Sequence, residues 1–179
     1  RVVSRDENGN TLTSVGNTFI TSWCTASSTV LDTSSEQIDR TKWWTLILEK
    51  TDAQWETLNG ITLTIPSDFS SSDANFQSQQ LDKNAVIETL IAPNGKTIIE
   101  DLVYELKAVT EEADTISTFD EALTMTMAYS DEDVVGIKEE TLRIYSSDGE
   151  SEWSPLPECD VNTTEKTVTC NTTHFSVFA

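Results

Sequence analysis

Three stretches of this chain alternate apolar and polar residues with a period of two: Ile61 to Ile65, Ala122 to Tyr129 and Thr141 to Tyr145. That period sends every second side chain to the same face, the pattern of a strand with one side in a core and the other in water. Further strands are expected at Phe19 to Trp23, Trp43 to Glu49, Ala85 to Ala92, Ile98 to Leu106 and Lys166 to Cys170. Turn signals at Asn59-Gly60, Asn94-Gly95 and Asp148-Gly149 separate them. Short strands at this spacing predict a mainly β chain folded as an antiparallel β-sandwich.

One or two short helices are expected beside the strands. Asp52 can cap a helix over Asp52 to Leu58, and Asn59-Gly60 can end it; Ser130 to Gly136 is the second candidate turn. Trp44, Ile47, Leu48, Thr51, Trp55 and Leu58 also fall at helical spacing, which leaves open a longer helix over Ser35 to Leu58. The β-rich sequence that follows favours strand then helix. Ser67 to Asp82, rich in Ser, Asp and Gln, reads as a surface loop. In domain terms, residues 1–60 are an N-terminal extension or the first strands plus a short helix, and residues 61–179 form the sandwich.

Charge narrows the partners. Eleven Lys and Arg against thirty-one Asp and Glu give a formal charge of −20, a field that repels phosphate backbones and argues against a nucleic-acid partner. A single histidine cannot supply a paired-His metal motif, and the six glycines form no phosphate loop, so no cofactor or metal is expected. Asp131, Glu132 and Asp133 are the calcium candidates, and a solvated turn is the preferred reading of them. Trp23, Trp43, Trp44, Trp55 and Trp153 read as core rather than as a sugar platform. No two of the acids stand out as a glycosidase pair. The longest apolar run, Trp43 to Leu48, is broken by Thr45 and falls far short of the roughly 20 residues of a membrane-spanning helix. The chain opens at Arg1 without a methionine and stops at Ala179 in what reads as mid-strand, so it is expected to be part of a longer surface protein, with any membrane anchor outside it.

Two of the three cysteines, Cys159 and Cys170, flank the stretch Asp160 to Thr169. A two-residue loop at Thr164-Glu165 would set them opposite each other on a hairpin, which suits a cross-strand disulfide. The same stretch carries two N-glycosylation patterns, beginning at Asn162 and at Asn171. Together these predict an oxidising, extracellular or cell-surface setting. Cys24 is left over and reads as a small buried hydrophobe.

The end of the chain carries the sharpest chemical signal. The runs Tyr129 to Tyr145, Trp153 to Leu156 and Thr167 to Ala179 resemble the C-terminal half of GPS-containing GAIN domains and of the related ZU5-type domains. The matching positions are Trp153, Cys159, Cys170, His174, Phe175, Ser176, Phe178 and Ala179. This stretch has two cysteines where the GPS pattern usually has four, and Phe175 stands where Leu is usual. The resemblance implies a sandwich whose last hairpin cleaves itself once, in cis, with no activity in trans. In that chemistry the Ser176 hydroxyl attacks the Phe175 carbonyl carbon, the amide becomes an ester, and water hydrolyses it. His174, two residues earlier and on the same side of a strand, is the base the reaction needs, with an ordinary pKa near 6.5. Val168 and Cys170 fall on even positions, but Phe175, Val177 and Ala179 on odd ones, which predicts a bend within Asn171 to Thr173. The fragments are expected to stay associated through the sheet. The alternative is a non-cleaving cell-surface adhesion or scaffold domain of the same fold.

Overall fold

The computed structural model describes residues 2–5, 11–14, 30–51, 57–87, 92–93, 95–99, 102–148 and 152–179. The first sheet holds β1 (Val2–Arg5), β2 (Thr11–Ser14), β4 (Trp44–Thr51), β5 (Thr57–Ile65), β8 (Leu123–Ala128), β11 (Asp160–Asn162) and β12 (Thr167–Thr172). The second holds β3 (Val30–Ile38), β6 (Ala74–Leu81), β7 (Tyr104–Val109), β9 (Tyr145–Ser147), β10 (Ser154–Pro155) and β13 (Val177–Phe178). Their orders are β11-β12-β8-β5-β4-β1-β2 and β10-β9-β13-β7-β6-β3, and the paired strands run antiparallel.

The alternation seen in the sequence becomes the core. Ile61, Leu63 and Ile65 of β5 and Leu123, Met125 and Met127 of β8 are buried, and Thr62, Thr64, Thr124 and Thr126 between them are half-buried on the other face. Tyr104, Leu106 and Ala108 of β7 answer them from the second sheet. Burying each of the larger aliphatic side chains stabilises the fold by about 2 kcal/mol. Phe69, Phe76, Phe119 and Phe175 fill one part of this core edge to face, at centroid distances of 4.7 to 5.9 Å. A second cluster, Leu81, Val86, Val103, Trp153 and Val177, packs separately.

The expected sandwich with one or two short helices is corrected by this structure: the fold is built from strands, and among the described residues neither expected helix is formed. Thr57 and Leu58 belong to β5, and residues 52–56 lie outside the described residues. The longer helix over Ser35 to Leu58 is replaced by β3, β4 and the start of β5. Ser130 to Gly136 does form reciprocal cap bonds: Ser130 N and Oγ donate to the Asp133 carboxylate, and Asp133 N donates to Ser130 Oγ. Gly136, at φ +79°, ends the segment after those turns, so the cap has no helix to continue into. The helical pieces among the described residues are a single turn at Lys83–Ile87 (α1) and a 3-10 turn at Glu139–Thr141.

Other boundaries move for local reasons. Ala85 to Ile87, expected in a strand, belong to α1, because the Asp82 carboxylate accepts the Asn84 N–H and starts a helical turn; residues 88–91 lie outside the described residues. Thr141 to Ile144 are not a strand, since the 3-10 turn takes Thr141 and sheet pairing begins only at Tyr145. The alternation there is still meaningful, because Leu142 and Ile144 are buried and Arg143 is exposed. Part of the expected loop Ser67 to Asp82 is β6, paired on both sides by β3 and β7. Its inward residues include Gln80, 2% exposed, so polar composition hid a central strand. Asn59-Gly60 is no turn either: the register between β4 and β5 skips Gly60 and leaves it as a bulge. The expected strand at Phe19 to Trp23 and the leftover Cys24 lie outside the described residues.

Candidate functional site

β12 lies in the first sheet and β13 in the second, so Thr173 to Ser176 is the segment in which the chain crosses the core. Val168, Cys170 and Thr172 face inward up to the end of β12, where the direction changes. Thr172 Oγ1 closes the turn by donating to the His174 carbonyl at 2.7 Å and accepting the His174 N–H at 3.3 Å. Phe119 N donates to the Thr173 carbonyl at 2.6 Å. Phe175 then packs between Phe76 and Phe119, with ring centroids at 4.7 and 4.9 Å. Val177 and Phe178 are both buried, one in each apolar cluster, because β13 is a central strand with β9 and β7 on its two edges.

Within this crossing the three sequence-predicted residues adopt separate environments. The Ser176 hydroxyl donates to the main-chain carbonyl of Ser147, a buried residue of β9, while the Ser176 carbonyl accepts the Leu106 N–H at 2.9 Å. The His174 imidazole lies against the Phe178 ring at 6.3 Å and makes no hydrogen bond among the described residues. A carbonyl oxygen orients a hydroxyl but cannot take its proton at neutral pH, so the arrangement holds the alcohol without activating it. None of Thr173, His174, Phe175 and Ser176 occupies the left-handed region; among the described residues the non-glycine ones that do are Asp68, Ala113, Glu158 and Lys166.

The neighbouring hairpin is closed by the Cys159–Cys170 disulfide, with Cα atoms 4.2 Å apart. Asp160 pairs with Thr169 and Asn162 with Thr167, which puts the two cysteines next in the same register. The loop spans Thr163 to Lys166, longer than the two residues expected, and Lys166 takes φ +54° to close it. Asn162 shapes the turn: its Oδ1 accepts the N–H groups of Thr164 and Glu165, and its Nδ2 donates to the Glu165 carboxylate. Asn171 accepts from Thr124 Oγ1 and donates to the Glu158 carboxylate. Both glycosylation candidates thus carry structural hydrogen bonds on the amide nitrogen that a glycan would use.

Sequence reasoning missed a polar cluster centred on Lys166. Its ammonium lies 2.7 Å from Asp131 and 2.9 Å from Glu139, and 6.0 Å from the centre of the Tyr129 ring. The Tyr129 hydroxyl donates to Glu139 at 2.8 Å. Hydrogen bonds to Asp131 and then Glu139 raise the Lys166 pKa, and the same bond from Lys166 followed by that from Tyr129 lowers the Glu139 pKa. Tyr129 is pushed up to about 12, first by burial and then by the carboxylate it donates to. Of the calcium candidates, Asp131 is committed to Lys166 and Asp133 to Ser130. The tryptophans divide: Trp153 is buried, Trp44 donates its indole N–H to the Asp39 carbonyl, Trp43 is 53% exposed, and Trp23 and Trp55 lie outside the described residues. No sequence signal marks this cluster, because Lys166 is 27 residues from Glu139 and farther still from Asp131. The sequence matches no family model and no curated protein.

Proposed function

We propose that this chain is a non-cleaving β-sandwich module of an extracellular or cell-surface protein, serving adhesion or scaffolding, in which the His174-Phe175-Ser176 crossing fastens the last strand. The observation that carries this reading is the Ser176 hydroxyl bound to the Ser147 carbonyl with the only histidine placed against Phe178. The hydroxyl is a structural tie and no base holds its proton. The Cys159–Cys170 disulfide supports an oxidising compartment, as do the acceptor patterns at Asn162 and Asn171. The membership in the GAIN and ZU5 group is part of the same proposal and rests on the residues of the C-terminal half. The partner in this reading is the remainder of a longer surface protein.

A second reading keeps self-cleavage at Phe175-Ser176, favoured by one observation: the bond lies at the sheet crossing, immediately before a strand hydrogen-bonded on both edges. A cut there would leave Ser176 to Ala179 held in place. Intact mass of the recombinant chain under denaturing conditions separates the two. The non-cleaving module gives one species of full mass, identical in kind to Ser176→Ala. Loss of the residues after Phe175 in the parent, absent in Ser176→Ala, would establish the second reading instead.

A further inference from the structure

At one end of the sandwich the two sheets part around a cavity of about 290 Å³. Met127 and Val168 of the first sheet, with Tyr129 just past β8, form one wall; Ile144, Tyr145 and Trp153 form the other. The volume is close to the roughly 300 Å³ at which small-molecule pockets begin, so it suits a ligand smaller than a drug-sized molecule. Most of its lining is apolar; Thr97, Thr141 and two tyrosines add neutral polar groups, and Lys96 and Arg143, both exposed, are the charged side chains among the described lining residues. Arg143 donates from one terminal nitrogen to the carbonyls of Leu142 and Glu140, which fixes the guanidinium and leaves its other N–H groups without a partner among the described residues. Neither cation pairs with a carboxylate among the described residues.

The charge distribution is the telling feature. Thirty-one acids are spread over this chain, yet none of the described lining residues is Asp or Glu, while two of its eleven Lys and Arg are among them. Glu139, which belongs to the 3-10 turn beside the cavity, shares the Lys166 ammonium with Asp131 and accepts from the Tyr129 hydroxyl, so its carboxylate is engaged away from the two cations. A cation-rimmed apolar cavity on a strongly acidic molecule selects its ligand by charge as well as by shape: the general field repels anions, and only a group that reaches these two side chains is compensated. We propose that this cavity binds a small apolar monocarboxylate, with its hydrocarbon part between Met127, Val168 and Trp153 and its carboxylate at Lys96 and Arg143. The bidentate fork of Arg143 is the natural carboxylate partner, and Lys96 adds a point charge. Ala179, which follows the Phe175-Ser176 bond, also lines the cavity, and the strand leading to it is paired on both edges.

Isothermal titration of the chain with octanoate and phenylacetate, against octanamide and phenylacetamide as neutral counterparts, tests it. One carboxylate should bind per chain, with the matching amide about tenfold weaker or more. Lys96→Ala combined with Arg143→Ala should weaken the acid about tenfold while leaving the amide and the melting temperature unchanged. Ile137→Trp, which fills the cavity from its wall, should abolish binding of both. Should Ile137→Trp fail to fold, the exposed double variant decides alone. The proposal is overturned if neither acid binds saturably, if an amide binds as tightly as its acid, or if the double variant leaves the acid's affinity unchanged.

Discussion

The Ser176 hydroxyl donates to the carbonyl oxygen of Ser147, so the residue leading into β13 is tied by its side chain to the last residue of β9. Main-chain pairing continues the tie: Val177 stands opposite Ser147 on one side and Glu105 on the other, and Tyr145 and Ala179 exchange both of their main-chain hydrogen bonds. An alcohol engaged this way serves stability, which can be measured residue by residue.

Replacing Ser176 with Ala removes one donor and leaves the Ser147 carbonyl without it. The expected loss is about 1 kcal/mol. Urea unfolding of the variant should show a lower midpoint with an unchanged slope, because the surface exposed on unfolding is the same.

Phe175→Ala should cost more. The ring sits edge to face between Phe76 and Phe119, and truncation removes both contacts and opens space in the core. A loss of about 3 kcal/mol is expected, seen as a drop in melting temperature. His174→Ala, whose half-buried imidazole lies near the Phe178 ring and makes no hydrogen bond among the described residues, should change stability by less than about 0.5 kcal/mol.

Reduction of the Cys159–Cys170 bridge frees a loop with a sequence separation of 11. The chain-entropy argument gives about 3 kcal/mol of lost stability. Thermal unfolding with and without reductant checks it, and the double substitution Cys159→Ser with Cys170→Ser should melt at the reduced protein's temperature.

The Lys166 cluster predicts alkaline lability. Tyr129 titrates near 10 when unfolded and at about 12 in the fold, so its contribution is complete below pH 10 and is lost as the pH rises toward 12. Lys166, also raised, acts in the same direction, since the folded state holds its proton longer than the unfolded chain does. Stability measured against pH should therefore fall above pH 10, and the fall should shrink in Tyr129→Phe.

At the acid end the sign reverses. Asp39 accepts from Lys42 and from Thr41, bonds that hold its pKa well below the usual carboxylate range and close the turn between β3 and β4. A depressed carboxylate stabilises the fold above its unfolded pKa and ceases to do so as the pH drops through its folded one. Asp39→Asn should flatten the acid-side slope of the stability curve.

What the sequence by itself determined is local. Ala122 to Tyr129 could bury one face only as a strand, and β8 occupies Leu123–Ala128 within it. Cys159 and Cys170 could meet only across a hairpin, since the register that puts Asn162 opposite Thr167 puts the cysteines opposite each other. Steric alternation and loop closure act over a few residues, so they are readable without a fold. The tertiary structure decided the rest. β6 became a strand because β3 and β7 offered it two edges, although Ser and Gln dominate its sequence. Lys166 met Asp131 and Glu139, and Ser176 met a carbonyl 29 residues away. Which acceptor a hydroxyl or an ammonium reaches is set by how distant strands are ordered in the sheets, and no period in the sequence encodes that order.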